Sequence, residues 1–335
     1  MNDSFESEDF FEEEIDSSNG TIKTRPDGSQ KLVISLLAAI ILLVSALAYL
    51  QYFNKSSEVL PVVEAIAEGT GSTLLKDPLG IATYKDKFYV TDASNARVLV
   101  FLDDGSPLYD FSGGSLHDKP KLMLKYPNSI AVNSEGKVYI ADIETGKIIE
   151  FSESGRALES FPLIKDRKQK IKPLALTFDD RDRFYVAEAN TGSIYIFNKE
   201  GELSNVIGKG ELKFPNGIAV SKDGDIYVSD SNAQQVLIFS ESGALKKRFA
   251  RGEDKRSFLP RGMAFTNKGN LLVADTLSSE IVEFDKDGKE ISSWGKPGVE
   301  DDELTFPNGI AYANGKLFIV DRGNNRVLMV RNFPK

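Results

Sequence analysis

Six carboxylates close six short apolar runs in this chain: Asp92 after FYVT, Asp142 after VYIA, Glu188 after FYVA, Asp230 after IYVS, Asp275 after LLVA and Asp321 after LFIV. Their numbers differ by 50, 46, 42, 45 and 46, so they mark six copies of one unit. Six copies of a carboxylate exceed what an active site uses, which makes their role structural rather than catalytic. In the first and last copies an arginine follows five residues on, giving the pairs Asp92 with Arg97 and Asp321 with Arg326. A second column is better placed to hold a ligand. Each unit opens on Pro-x-Gly or a variant, and the residue after the proline is Leu79, Asn128, Leu174, Asn216, Arg261 or Asn308. Brought into a ring, Asn128, Asn216, Arg261 and Asn308 could grip a polar ligand. Amide and carboxylate oxygens also suit a hard cation such as calcium. Against both readings, Asn before Gly simply favours a turn.

Other chemistry is thin. There is no cysteine, which excludes thiol nucleophiles, cysteine metal sites and stapling disulfides. The single histidine, His117, lies in SGGSLHDKPK, an insertion between the first two units, and reads as a surface-loop residue. One histidine cannot build a multi-histidine zinc site, and no G-x-S-x-G elbow accompanies it. DDRDR and DKDGK resemble calcium loops but lack the closing glutamate, so they are turns.

The elements that must position these residues are clearest in residues 214 to 250, FPNGIAVSKDGDIYVSDSNAQQVLIFSESGALKKRFA. GIAV, DIYVSD and QVLIF read as strands, and ALKKRF alternates like a half-exposed edge. SKDG and SESG supply hairpin glycines. A lone four-stranded sheet cannot bury its faces, and repeats near 45 residues built of such sheets close radially as β-propeller blades.

At these columns the sequence resembles the NHL repeat family. PLGIATYKDKFYVTDASNARVLVF and PNGIAYANGKLFIVDRGNNRVLMV follow its pattern of Pro-x-Gly, a strand ending in Asp, then Asn-x-Arg. The resemblance implies an all-β, six-bladed NHL-type β-propeller, with the Asp92–Arg97 and Asp321–Arg326 pairs tying adjacent strands. It also implies that the asparagines match positions which, in related lactonase-type propellers, ligate a divalent metal with acidic partners. The sixth unit stops after three strands, and residues 60 to 67 match the tail of a unit. An N-terminal strand is therefore expected to complete the last blade and remove an exposed edge.

The domain organisation predicted is a disordered acidic tail over 1–31, a transmembrane helix over 32–53, a short linker over 54–59 and the propeller over 60–335. Of the net charge of −9, the tail holds −6, from nine acids and three bases. Residues 32 to 50, LVISLLAAIILLVSALAYL, carry no ionisable group except Tyr49. They would span about 29 Å as a helix, enough to cross a bilayer core. Lys23, Arg25 and Lys31 precede this run and only Lys55 closely follows it. The positive-inside rule then predicts a single-pass protein, cytoplasmic at the N-terminus, with the propeller outside. The acidic balance disfavours nucleic acid.

The function expected on these grounds is a membrane-anchored, extracytoplasmic scaffold or sensor for a protein, a peptide or an envelope glycan, with no cofactor and no catalytic residue. The alternative is a metal-dependent hydrolase or lactonase with a divalent cation such as calcium in the channel.

Overall fold

The computed structural model describes residues 11–16, 21–26, 28–56, 62–66, 74–114, 121–161, 171–251 and 258–333. The chain divides into two compact units, Met1–Leu60 and Pro61–Lys335.

The second unit holds six four-stranded antiparallel sheets, arranged as a six-bladed β-propeller. Blade 1 runs Pro78–Tyr84, Lys87–Asp92, Arg97–Leu102 and Pro107–Phe111 from its innermost strand outward. Blades 2 to 5 repeat the order, with innermost strands Pro127–Val132, Pro173–Phe178, Pro215–Val220 and Pro260–Phe265. Blade 6 is Pro307–Ala313, Lys316–Asp321, Arg326–Arg331 and, from the other end of the unit, Val62–Ile66. Val62–Ile66 pairs antiparallel with Arg326–Arg331, in a register that sets Val327 opposite Ile66 and Arg331 opposite Val62.

Burial explains the sequence pattern. The second strand of blades 2 to 5 is buried at every position, because sheets pack on both its faces, and such strands read as unbroken apolar runs. The fourth strands alternate or lie mostly exposed, as Pro107–Phe111 and Leu203–Ile207 do. Between blades the core is aromatic and aliphatic. Phe88 stacks on Phe101 at 5.0 Å within blade 1 and meets Phe318 of blade 6 at 5.1 Å. Tyr139 of blade 2 meets Phe184 of blade 3 at 5.0 Å. Ile66 belongs to the same cluster as Phe88, Phe101 and Phe318. It also sits where a side chain at Gly105 would go: a Cβ there would lie 2.7 Å from the Cβ of Ile66, and the backbone φ of +91° independently favours glycine.

The first unit contains the strands Phe11–Asp16 and Thr21–Pro26 and the helix Gly28–Ser56. The two strands pair antiparallel, with Glu12 opposite Arg25 and Glu14 opposite Lys23. Two acidic residues thus face basic ones across the pair, an arrangement that favours pairing. Among the described residues no helix is long and apolar enough to cross a membrane. The span expected over 32–53 is therefore not established.

Candidate functional site at the channel mouth

Every innermost strand begins at the same end of the central channel, so the residues around the blade-opening prolines converge there. The channel is an open cavity of about 750 Å³ lined by all six innermost strands. The sequence-predicted residues Asn128, Asn216, Arg261 and Asn308 all line it, as do Leu79 and Leu174.

Close approach of neighbouring strands explains the opening motif. A Cβ on Gly262 would lie 2.5 Å from the carbonyl oxygen of Asn308, and one on Gly309 would lie 2.5 Å from that of Leu79. The asparagines work within this crowding. Asn128 donates from Nδ2 to the carbonyls of Pro173, at 3.1 Å, and Leu174, at 2.9 Å. Asn308 donates likewise to Leu79 at 3.1 Å. Asn216 donates at 2.6 Å to the Ser231 hydroxyl, which donates at 2.6 Å to the carbonyl of Pro260. Each amide thus ties its own blade to the next, directly or through one hydroxyl. The amide oxygen of Asn128 is buried and has no hydrogen-bond partner.

The carboxylate ring sits behind this one. Each of the six closing carboxylates accepts a backbone N–H sixteen residues upstream: Lys76 to Asp92, Tyr126 to Asp142, Lys172 to Glu188, Phe214 to Asp230, Leu259 to Asp275 and Thr305 to Asp321. All six are fully buried. The accepted N–H belongs to the segment entering the same blade's innermost strand, so the ring of carboxylates fixes the mouth. Asp92 and Asp321 also accept from Arg97 and Arg326, Nε to Oδ2 at 2.8 Å in both pairs. In blade 5 the cation comes from elsewhere: Arg251, on the segment leaving blade 4, reaches Asp275 at 3.2 Å and also binds Glu280 and Glu290. Sequence reasoning missed Arg251 because its partner lies 24 residues away.

Three more mouth residues were not anticipated. Tyr126 and Arg322 line the cavity. Asp77 joins them: Arg322 donates from Nε to Asp77 Oδ1 at 2.5 Å, and the Tyr126 hydroxyl donates to Asp77 Oδ2. Burial first, and then Asp77 as partner and as charge, raise the Tyr126 pKa, so the phenol stays protonated beyond the ordinary tyrosine range. The signal for these residues was one position away from the columns already read. Asp77 and Tyr126 immediately precede blade-opening prolines, and Arg322 immediately follows a closing carboxylate.

Arg261 differs from every other guanidinium at this end. Its Nε is buried without a hydrogen-bond partner. Burial and then the nearby charge of Arg322 lower its pKa, and no carboxylate offsets them. A divalent cation at this end would face two guanidinium groups, with Asp180 the one carboxylate lining the cavity among the described residues. Among the described residues no cluster of three or more His, Cys, Asp or Glu could hold a metal. The asparagine Nδ2 donors are committed to strand ties, and the charged residues lining the cavity are Arg261, Arg322 and Asp180. The insertion bearing His117 lies outside the described residues.

Comparison with known proteins places the fold. A family model described as "SMP-30/Gluconolactonase/LRE-like region" matches residues 175–309, 135 of the 335. No curated protein matches the chain in sequence at a significant level. Among solved structures, a luciferin-regenerating enzyme is 14% identical with a TM-score of 0.62, over 81% of this chain and 95% of that one. A gluconolactonase from Xanthomonas campestris is 18% identical with a TM-score of 0.58, over 77% and 86%. Virginiamycin B lyase from Staphylococcus aureus is 11% identical with a TM-score of 0.58, over 81% and 99%. Together with the six sheets, these likenesses define the class as a six-bladed propeller. The more specific NHL resemblance is not established. Its hallmarks, Pro-x-Gly and the closing carboxylate, are here the parts that set strand approach and fix the mouth.

Proposed function

We propose that this propeller is an enzyme of the lactonase type, opening a small cyclic ester held at the channel mouth without a resident divalent cation. The observation that carries the reading is the trio of Asp77, Tyr126 and Arg322 beside the cavity. It supplies a carboxylate to accept a proton, a phenol that stays protonated and a guanidinium to stabilise developing negative charge. In ring opening, a water oxygen bonds to the acyl carbon and the acyl–oxygen bond of the ring breaks. The ring oxygen leaves as a hydroxyl carrying one of the water's protons, and the new carboxylic acid releases another to solvent. The fold likeness to a gluconolactonase supports this reading.

The test is proton release by the full chain from a panel of five- and six-membered lactones, with a chelator present. Saturable release that falls at least tenfold in Tyr126→Phe is expected. No release above buffer across the panel would contradict the proposal. Stoichiometric calcium or zinc in the purified protein, lost on Asn216→Ala, would favour a metal-dependent version instead.

The proposal has two further parts. Val62–Ile66 holds the ring shut by joining both ends of the propeller in one sheet. The helix Gly28–Ser56 anchors the protein in a membrane with the propeller outside. Support for the anchor is the exposure of the apolar side chains described between residues 32 and 47, including Leu32, Leu36, Ile40, Leu43 and Leu47. Recovery of the full chain in the carbonate-washed membrane fraction is expected, and full release by carbonate would refute the anchor.

A further inference from the structure

We propose that the channel mouth recognises a carboxylate, and that Arg261 is the group that binds it. The inference rests on the channel mouth being the ligand site, as proposed above, but not on any turnover there. Other arginines buried at this end are matched: Arg326 pairs with Asp321 at 2.8 Å, and Arg251 is held by Asp275, Glu280 and Glu290. Arg261 has no carboxylate partner among the described residues, its Nε is buried and unpartnered, and it lines an open cavity. A guanidinium stays charged at any physiological pH. Left without an anion in a part-buried position it is costly, and a bidentate carboxylate is the ligand whose geometry matches the fork.

Arg322 adds a second positive charge at the same mouth, and its own partner Asp77 also accepts from Tyr126, so that carboxylate is shared. The rest of the lining mixes polar side chains, among them Asn128, Asn216 and Asn308, with apolar and aromatic ones. Ile143, Phe214 and the ring of Tyr126 line the cavity beside the arginines. The ligand class that fits is a small organic acid with its carboxylate on Arg261.

The test uses the full chain with benzoate, its neutral analogue benzamide and calcium chloride, read by thermal shift and by the ¹⁵N resonance of Arg261 Nε. Benzoate is expected to raise Tm saturably and move that resonance, whereas benzamide binds at least tenfold more weakly and calcium does neither. Arg261→Met should fold, melt at the same temperature or higher because an uncompensated charge is gone, and lose the benzoate effect. Equal binding of benzoate and benzamide, or of benzoate to wild type and Arg261→Met, would overturn the proposal. So would a Tm lowered by several degrees in Arg261→Met, which would make the arginine a structural part. Benzoate binding without lactone turnover would remove the hydrolase reading and leave this site standing; turnover without benzoate binding would do the reverse.

Discussion

Two sets of charged side chains stand at one end of this propeller, and they are built on opposite terms. The six closing carboxylates are fully buried, and each is held by backbone N–H groups, in three blades with an arginine as well. Arg261, fourteen residues before Asp275 in the same repeat, is part-buried and unmatched. A charge whose partners are all supplied by the protein serves the fold; one left without them stores an unfavourable energy that a ligand can relieve. Substitution should therefore lower stability in the first set and leave or raise it in the second.

The largest effect belongs to the seam, where the two ends of the propeller meet. Deleting residues 58–68 removes Val62–Ile66 and opens the edge of Arg326–Arg331. A loss of more than ten degrees in Tm is expected, against little change for an equally long deletion in a surface loop. Equal melting temperatures would separate the strand from any role in stability.

Next comes the carboxylate ring itself. Asp230 accepts from Lys213, Phe214 and Ala233 at 2.6, 3.0 and 3.1 Å. Asp230→Ala leaves these donors without their acceptor and should cost about 3 kcal/mol in denaturant unfolding. A cost near zero would show that the mouth segment is fixed by other means.

A pH-dependent contrast follows at the far end of blade 3. Burial opposes ionisation of Asp179, but hydrogen bonds from Arg183 and Arg181 outweigh it, and its pKa is lowered. A carboxylate with a depressed folded pKa contributes stability in full above its unfolded value of about 3.9 and loses it as pH falls through the lower folded value. Asp179→Asn should thus melt below wild type at pH 7, and the gap should close towards pH 2. A gap that is constant with pH would assign the effect to packing.

The smallest change is expected at Asn216, whose amide donates to Ser231 at 2.6 Å while Ser231 keeps its own bond to Pro260. Asn216→Ala should cost about 1 kcal/mol, the worth of one such bond. A much larger loss would mean that the asparagine holds more than a strand tie.

The blade architecture was legible in the sequence because each structural demand recurs six times. Pro-x-Gly reports strands too close for a Cβ at Gly262 and Gly309, and the closing carboxylate reports a backbone donor sixteen residues upstream. The site was legible only in part. Arg261 and the asparagines were found from their column, but the column could not tell that the amides would spend their donors on neighbouring strands while Arg261 would be left without a partner. That distinction depends on what faces each side chain across the ring. Asp77, Tyr126 and Arg322 come from three separate segments and meet only when blade 6 is set against blades 1 and 2. Arg251 was hidden for the same reason: its carboxylates all belong to the following blade.

The claim on which the account turns is that the channel mouth is an anion site. A crystal structure of the full chain with benzoate tests it most directly. The account predicts the carboxylate paired with the guanidinium of Arg261 inside the channel and the ring against Tyr126 and Phe214. A divalent cation ligated by the side-chain oxygens of Asn128, Asn216 or Asn308, with Arg261 turned away from the cavity, would contradict it.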